Sequence, residues 1–385
     1  MEAAIACTKL EDSAEAGRAL GQEVRTGLSG PPDALLVFAS PRYAHQDLLQ
    51  ALVSECPVGV LVGASSAGEF ARNIQGEGMA CALALKSAEL RFAAGIGRNL
   101  REDPAAAARG LTASFRGMTE QAPHRAALVL TDALAGHAQA LLDELTLATV
   151  GQYQFFGGGA GDDAQFRRTV VFHGTEVLTD AAVTLEILSP KPLGIGVGHG
   201  WEPASPAFRV TKAEGLRLIG LNGLPAVEAF EAHAERLGQT LDRQAPVPFF
   251  LQNILGVDTG AGYRLRVPLA IDEAGAVLCA AEVPVGSRVR IMCSTAESTV
   301  VAAERATAAA LAGLGGHRPK VALFFDCVAT RLRLGDAFAT ELDAVRAQIT
   351  GVPLVGCNTH GQIARAEGQF EGFHNCTAVV CVLPE

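Results

Sequence analysis

Short apolar runs alternate along this chain with segments in which apolar residues recur at every fourth position. The runs Ala34–Ala39, Ala126–Leu130 and Val321–Phe325 are almost continuously apolar. Runs of this length without polar alternation are typical of strands that are covered on both faces. The pattern therefore predicts buried strands at these three places.

The segments that precede two of these strands have the spacing of amphipathic helices. Asp12 and Asp103 stand where an N-cap is favoured, and Pro104 suits the first turn of a helix. Apolar residues then follow four positions apart, which places them along one helix face. In the first segment these residues are Ala16, Leu20 and Val24, and in the second Ala107, Leu111 and Phe115.

An internal repeat is the most informative feature of the sequence. Val62–Arg72 and Val355–Arg365 share both glycines and an Ala-Arg ending at one fixed offset, and Phe156–Asp163 is a middle copy. Self-similarity at matched offsets indicates a repeated structural unit. The sequence therefore predicts an α/β fold of three β-α-β-α-β units. A short strand pair, for example Thr169–Phe172 and Ala182–Leu188, is expected to close the unit after each glycine turn, which would make the sheets mixed.

A segment of different character separates the second and third repeats. Pro190-Lys191-Pro192 follows the second repeat, and Leu193–Gly286 is rich in predicted strands, with one helix at Pro225–Leu237. We interpret this stretch as an inserted β-rich segment. The repeats themselves are predicted at Met1–Ala88, Glu89–Ser189 and Ser287–Glu385.

Composition narrows the class of protein. Of the 385 residues, 49% are hydrophobic and 19% charged, and the formal net charge is −10. A nucleic-acid groove needs clustered Lys and Arg, so this charge argues against a nucleic-acid partner. The longest apolar stretches, such as Val58–Ala64, are too short to span a bilayer, and the N-terminus lacks signal-peptide features. Nine cysteines without C-x-x-C spacing favour reduced thiols in the cytoplasm.

The third glycine turn is the polar one. Cys357-Asn358-Thr359-His360 stands where the first copy has Ala64-Ser65-Ser66-Ala67. Buried polar side chains need partners, and a bound ligand is one way to supply them. We therefore predict a ligand site where this turn meets the inserted segment, near His199, Cys327, Arg331, Asn358, His360 and Asn375. The alternative is that these side chains hydrogen-bond the neighbouring segment.

Acidic residues beside the glycine turns allow two interpretations. Glu69, Asp162 and Gln362 follow the last glycine of each copy, and Asp163 follows Asp162. We favour a turn-capping role, because such acids commonly accept backbone N–H groups. The alternative is a hydrolase that uses Asp162, Asp163 and Cys327. The sequence contains neither G-x-S-x-G nor H-E-x-x-H, so it favours a binding protein over an enzyme.

Taken together, these motifs resemble the FIST family, sensory domains named for F-box and intracellular signal transduction proteins. The stretches that carry the resemblance, in family order, are Val62–Glu69, Phe156–Asp163, Gly196–Trp201, Asn222–Ala226, Phe325–Arg331 and Gly356–Thr377. The chain departs from the family at Gly361-Gln362, where Gly-Glu is usual. The resemblance implies an N-terminal FIST domain at 1–190, with two repeats, and a C-terminal FIST domain at 191–385, with the inserted segment and the third repeat.

The resemblance also implies a function. It implies a cytoplasmic sensory protein that binds a small molecule such as an amino acid. Signalling would then act through a separate partner, either a histidine kinase or a cyclic-di-GMP enzyme. One subgroup of the family is similar to haem-binding nitric-oxide sensors, and for this chain that alternative would place haem b on His199 or His360. We favour an organic ligand without a metal, and neither nucleic acid nor a membrane as partner.

Overall fold

The computed structural model describes residues 1–366, 368 and 371–385, and its first two units have the same order of elements. The first unit comprises β1 (Glu2–Thr8), α1 (Ser13–Thr26), β2 (Ala34–Ala39), α2 (His45–Glu55), β3 (Leu61–Ser65), β4 (Glu69–Ala71), β5 (Ile74–Gly76) and β6 (Ala80–Lys86). The second comprises β7 (Arg91–Arg98), α3 (Pro104–Thr112), β8 (His124–Thr131), α4 (Ala138–Ala148), β9 (Gln154–Gly159), β10 (Val171–His173), β11 (Glu176–Leu178) and β12 (Ala181–Ser189). The predicted N-caps are confirmed, because Asp12 and Asp103 each accept a backbone N–H at 2.8 Å.

The third unit is interrupted by the β-rich segment. It begins with β13 (Gly194–Gly198) and resumes with α7 (Ala296–Gly313), β23 (Pro319–Cys327), α8 (Val328–Leu334), α9 (Phe338–Gln348), β24 (Leu354–Thr359), β25 (Gln362–Arg365), β26 (Gly372–His374) and β27 (Ala378–Pro384). Ile195 of β13 pairs with Cys381 of β27. The expected start of this repeat at Ser287 is therefore wrong, because its first strand precedes the insertion.

The insertion forms a sheet of its own. Its elements are β14 (Glu202–Pro203), β15 (Phe208–Glu214), β16 (Arg217–Leu221), β17 (Leu224–Pro225), α5 (Ala226–Leu237), α6 (Val247–Phe250), β18 (Ile254–Asp258), β19 (Tyr263–Arg266), β20 (Pro268–Ile271), β21 (Val277–Cys279) and β22 (Arg288–Cys293). The nine strands form one sheet around an apolar core that includes Phe230 and Phe250. Short 3₁₀ helices elsewhere lie at Arg116–Met118, Ala133–Ala135 and Gly335–Ala337.

The three units share one strand order, as the repeat predicts. The first sheet runs β1-β6-β2-β3-β10-β11, the second β7-β12-β8-β9-β25-β26, and the third β13-β27-β23-β24-β4-β5. In each sheet the two central strands of the unit are parallel and their other neighbours are antiparallel. The α/β class with mixed sheets is confirmed.

The short hairpin after each glycine turn joins the sheet of another unit. The hairpin β4–β5 of the first unit joins the third sheet, β10–β11 of the second unit joins the first sheet, and β25–β26 of the third unit joins the second sheet. The exchange is cyclic, so each sheet contains strands from two units. Of the two strands expected to close the second unit, Ala182–Leu188 lies in β12 within that unit's own sheet. The other, Thr169–Phe172, overlaps β10, which joins the first sheet instead.

The inner faces of the three sheets share a central core. Strand β2 is buried throughout, with Leu36 and Phe38 in this core and Leu35 and Val37 packed on the helix side. This alternation explains the continuous apolar run, because both faces of the strand are covered. The ring of Phe325 from the third unit lies 5.7 Å from that of Phe38. Within the described part of the chain, no helix has the length and apolarity that crossing a membrane requires.

Candidate functional site

The three glycine turns meet and bind one another. Gly68 and Gly361 supply the positive φ angles, of 123° and 122°, that these turns require. A Cβ on Gly161 would lie 2.7 Å from the Cβ of Ala67, so the turns also need small residues where they touch. Backbone bonds link all three turns: Ala67 N–H to Asn358 C=O (2.9 Å), Gly161 N–H to Ser65 C=O (2.8 Å) and His360 N–H to Gly159 C=O (3.0 Å).

Each sheet carries a crevice between its exchanged hairpin and the start of the second long helix of its unit. Three residues occupy the same position in the three exchanged hairpins. Gln75, Val177 and Phe373 each pair with the middle one of the three paired residues in the first strand of the hairpin. Gln75 lines the crevice of the third sheet, Val177 that of the first and Phe373 that of the second. The repeat therefore produces three related candidate sites.

The crevice of the third sheet, here called the Arg331 cleft, has a volume of about 620 Å³. Its walls come from the first-unit hairpin β4–β5 and from α8 and α9 of the third unit. This position lies beyond the carboxyl ends of the parallel strands β23 and β24, where α/β proteins commonly bind ligands. Residues that line it include Glu69, Gln75, Glu77, Arg331, Phe338 and Asn358.

Arg331 supplies hydrogen-bond donors to this cleft. Its side chain is 17% exposed, and Nη1 forms an ion pair with Glu77. Among the described residues, Nε and Nη2 of Arg331 and Nδ2 of Asn358 have no hydrogen-bond partner. A Cβ on Gly68 would lie 2.8 Å from Asn358 Oδ1 and 3.3 Å from Arg331 Nε, so a glycine there makes room for both side chains. Buried donors of this kind match a ligand that accepts hydrogen bonds.

Glu69 forms an uncharged part of the cleft wall at neutral pH. It is 1% exposed, and its carboxyl accepts hydrogen bonds from the Ser66 hydroxyl and, at 2.9 Å, from Met79 N–H. Burial raises the pKa of Glu69 to about 8. Burial also raises the pKa of nearby Asp163, whose carboxylate accepts a hydrogen bond from the Ser40 hydroxyl at 3.1 Å. Glu69 therefore adds no negative charge beside Arg331 at neutral pH, and the carboxylate paired with Arg331 is that of Glu77.

The other two crevices differ in how far they are filled. In the second sheet Arg266 of the insertion enters the crevice, which retains only about 30 Å³. Its guanidinium donates to the carbonyl oxygens of Phe373, Glu282 and Leu265 at 2.8–2.9 Å. The crevice of the first sheet is open, at about 540 Å³, and is lined by residues that include His45 and Arg168.

Of the six predicted site residues, Arg331 and Asn358 line the Arg331 cleft. Cys327 packs instead with Trp201 and Cys376 in an apolar cluster against the insertion. The thiol of Cys376 donates a hydrogen bond to Cys327 and lowers the pKa of the Cys327 thiol to about 7.

Asn375 is buried, and its Oδ1 accepts a hydrogen bond from Val267 N–H at 3.2 Å. Asn375 thus contacts the neighbouring segment, as the alternative interpretation holds.

His199 and His360, the two candidate iron ligands, contact different groups. Nε2 of His199 lies 3.2 Å from the carbonyl oxygen of Tyr263. The ring of His360 stacks on Phe166 at 4.7 Å, and its Nε2 lies 3.5 Å from Asp162 Oδ1. Burial lowers the pKa of His360 to about 4.

A haem site needs an axial nitrogen that faces an apolar slot. Phe166 covers one face of the His360 ring, and Asp162 lies 3.5 Å from its Nε2. Neither His199 nor His360 lines the first-sheet crevice or the Arg331 cleft. In the part of the chain that the structure describes, no three His, Cys, Asp or Glu side chains are grouped as a metal site.

Asp162 has the predicted capping role. Its carboxylate accepts the backbone N–H groups of Phe166, Arg167 and Arg168 at 2.7–3.0 Å. Asp162 is not the structural equivalent of Glu69 and Gln362. Each of those two residues begins an exchanged hairpin, Glu69 opposite Cys357 and Gln362 opposite Gly158. In the second unit a longer loop precedes the hairpin, so the residue at this position is Val171, opposite Ala64.

Comparison with known proteins identifies a family. The family model of the FIST N domain matches residues 33–224, and that of the FIST C domain matches residues 229–365. The chain belongs to the FIST family. The family is associated with sensory roles in signal transduction.

Individual relatives add little to this assignment. An uncharacterised protein of Methanocaldococcus jannaschii is 35% identical over 74 residues, which is 19% of this chain and 14% of that protein. The crystal structure of phosphoribosylformylglycinamidine synthase II from Thermotoga maritima aligns with 99% of this chain and 71% of that one, at 11% identity and a TM-score of 0.23.

Proposed function

We propose that this protein is a small-ligand-binding sensory protein of the cytoplasm and that the Arg331 cleft is its ligand site. The observation that carries the proposal is the set of partnerless buried donors on Arg331 and Asn358, which point to one cleft. The family assignment supports a role in signal transduction. The nine free cysteines of the chain are consistent with a reducing compartment.

The ligand we propose is a small carboxylate, such as an amino acid. A carboxylate accepts two parallel hydrogen bonds from a guanidinium, and Nε with Nη2 is one edge that offers them. Asn358 Nδ2 would supply a further donor. An ammonium group on the same ligand would be attracted by the carboxylate of Glu77, which is already paired with Nη1 of Arg331.

The position of the cleft suggests how binding is signalled. One wall belongs to the first unit and the other to the third, so a bound ligand would bridge two units. A ligand shifts a conformational equilibrium only through different affinities for the two states. We propose that binding tightens this junction and that a separate partner, a histidine kinase or a cyclic-di-GMP enzyme, recognises the changed surface. In this proposal the chain binds its ligand without chemical change to it.

A thermal-shift screen of amino acids and other small carboxylates, followed by calorimetry, tests the proposal. A ligand at a hundred times its Kd stabilises a protein by about 2.7 kcal/mol, which such a screen detects readily. Arg331→Ala should weaken binding at least roughly tenfold, and Arg331→Lys should also weaken it, because an ammonium cannot replace a guanidinium edge.

Arg168→Ala is the matched control, since Arg168 lines the related crevice of the first sheet. It should bind the ligand as the wild type does. Wild-type affinity in Arg331→Ala, or loss of binding only in Arg168→Ala, would place the ligand elsewhere.

A further inference from the structure

Two cysteines face each other across the edge of the first sheet. Cys7 of β1 lies directly opposite Cys81 of β6 in an antiparallel pair. Opposed residues in such pairs have side chains on the same face and Cα atoms about 4.5–5.5 Å apart. Disulfides join Cα atoms about 4.4–6.8 Å apart. The register therefore brings these two sulfurs within bonding range with little movement of the backbone.

The two thiols differ in access to solvent. Strand β1 is an edge strand, paired with β6 alone, and Cys7 near its end is half-buried. Cys81 is fully buried on the inner strand of the pair. A reagent from solvent would therefore meet Cys7 first, and Cys81 would react only through Cys7.

The two thiols also differ in acidity. The Cys81 thiol donates a hydrogen bond to Cys7, which lowers the pKa of Cys7 to about 7. The same contact, together with burial, raises the pKa of Cys81. The thiolate is the reactive form of cysteine. Cys7 is therefore suited to attack, and Cys81 is suited to react second.

We propose that Cys7 and Cys81 form a dithiol–disulfide redox centre whose oxidant is a low-molecular-weight disulfide. The Cys7 thiolate attacks one sulfur of the oxidant, which breaks its S–S bond and releases one thiolate. Cys81 then gives its proton to a released thiolate and attacks the Cys7 sulfur, forming the protein disulfide and releasing the second thiolate, which is protonated from solvent. Two protein thiols are oxidised and one small disulfide is reduced to two thiols. This centre is independent of the proposed ligand site.

The test uses the full-length Cys293→Ser variant, because Cys293 is exposed and would form its own mixed disulfide. The folded protein is treated with oxidised glutathione and mapped by peptide mass spectrometry without reduction. We expect a linked Cys7–Cys81 peptide pair that dithiothreitol restores to two thiols. Adding Cys81→Ser should trap glutathione on Cys7, and adding Cys7→Ser should leave Cys81 unmodified.

The pH dependence of alkylation at Cys7 gives a second readout. Its midpoint should lie near pH 7 while Cys81 is present and should rise in Cys81→Ala, which has no hydrogen-bond donor on its side chain. Two free thiols after a treatment that modifies Cys293 in the wild type would overturn the proposal. Stable glutathione on Cys7 beside a free Cys81 would overturn it as well.

Discussion

Glu69 lies directly opposite Cys357 in an antiparallel strand pair, although Glu69 belongs to the first unit and Cys357 to the third. The pair exists because hairpin β4–β5 leaves its own unit and completes the third sheet. The same exchange carries Glu69 and Glu77 to the helix of Arg331. The candidate site is thus a product of the exchange and belongs to no single unit.

The buried carboxyl of Glu69 should make stability depend on pH. The folded protein keeps this proton up to about pH 8, whereas the usual pKa of a glutamic acid is 4.5. Between these values the unfolded chain binds fewer protons than the folded one, so the free energy of unfolding falls as pH rises. Glu69→Gln cannot ionise, and its stability should fall less between about pH 5 and pH 8 than that of the wild type.

Urea unfolding of both proteins at these two pH values measures the difference. Equal pH slopes for wild type and Glu69→Gln would mean that Glu69 is ionised in the folded state. The comparison of slopes isolates Glu69 from the other buried acids, such as Glu341, whose pKa burial also raises to about 8.

Gly161 should tolerate no side chain, because its turn packs against the turn of the first unit. A Cβ there would meet the Cβ and the backbone N of Ala67 at 2.7 Å. We expect Gly161→Ala to lower the free energy of unfolding by about 1–3 kcal/mol, the range for overpacking. Gly59→Ala is the control, since a Cβ on Gly59 would meet no atom within 4 Å. Similar melting temperatures for the two variants would contradict the close junction.

Arg266 should be important for stability through the crevice that it fills. Burial lowers its pKa to about 9, and its guanidinium serves three carbonyl oxygens. Arg266→Ala would leave these oxygens without that donor, so we expect a loss of at least about 2 kcal/mol. Arg209→Ala removes an exposed arginine of the same insertion and should change stability by less than about 0.5 kcal/mol. Chemical denaturation of both variants measures the contrast.

Haem binding should fail on reconstitution. His199 lies against a backbone carbonyl and His360 between Phe166 and Asp162, so neither presents a nitrogen to an apolar slot. We expect no Soret band after incubation of the purified protein with haem b. A band that disappears in His199→Ala or His360→Ala would contradict this expectation and identify the axial ligand.

The repeat was predictable from the sequence because its signals are local. Apolar runs, N-cap residues such as Asp12 and glycines at fixed offsets all act within a few residues of their position. The polar third turn likewise indicated Asn358, and Arg331 was found because it follows the end of a predicted strand. Cys327 met the same criterion as Arg331, yet it packs with Cys376 in an apolar cluster against the insertion. Asn375 is bonded to Val267 of the inserted segment and does not line the cleft.

The exchanged hairpins were not predictable in this way. A strand of three residues such as β4 carries no local signal that decides which sheet it joins. Nothing in the sequence therefore indicates that Gln75 or Glu77 lies beside Arg331. The start of the third repeat was also predicted wrongly, after the insertion. Its first strand, β13, precedes the insertion and pairs with β27 at the other end of the unit.

The cyclic exchange has a consequence for the order of folding. Three units that kept their own hairpins could fold one after another, whereas here every sheet lacks its last two strands until another unit is in place. Residues 1–190 alone would leave β4–β5 without β24 and β9 without β25, and we expect that fragment to be unstable. The whole chain should unfold in one cooperative step, so Trp201 fluorescence and hydrogen exchange in β6 should report the same transition. Each unit therefore needs another unit to complete its sheet, and none reaches its native structure before the third unit has folded.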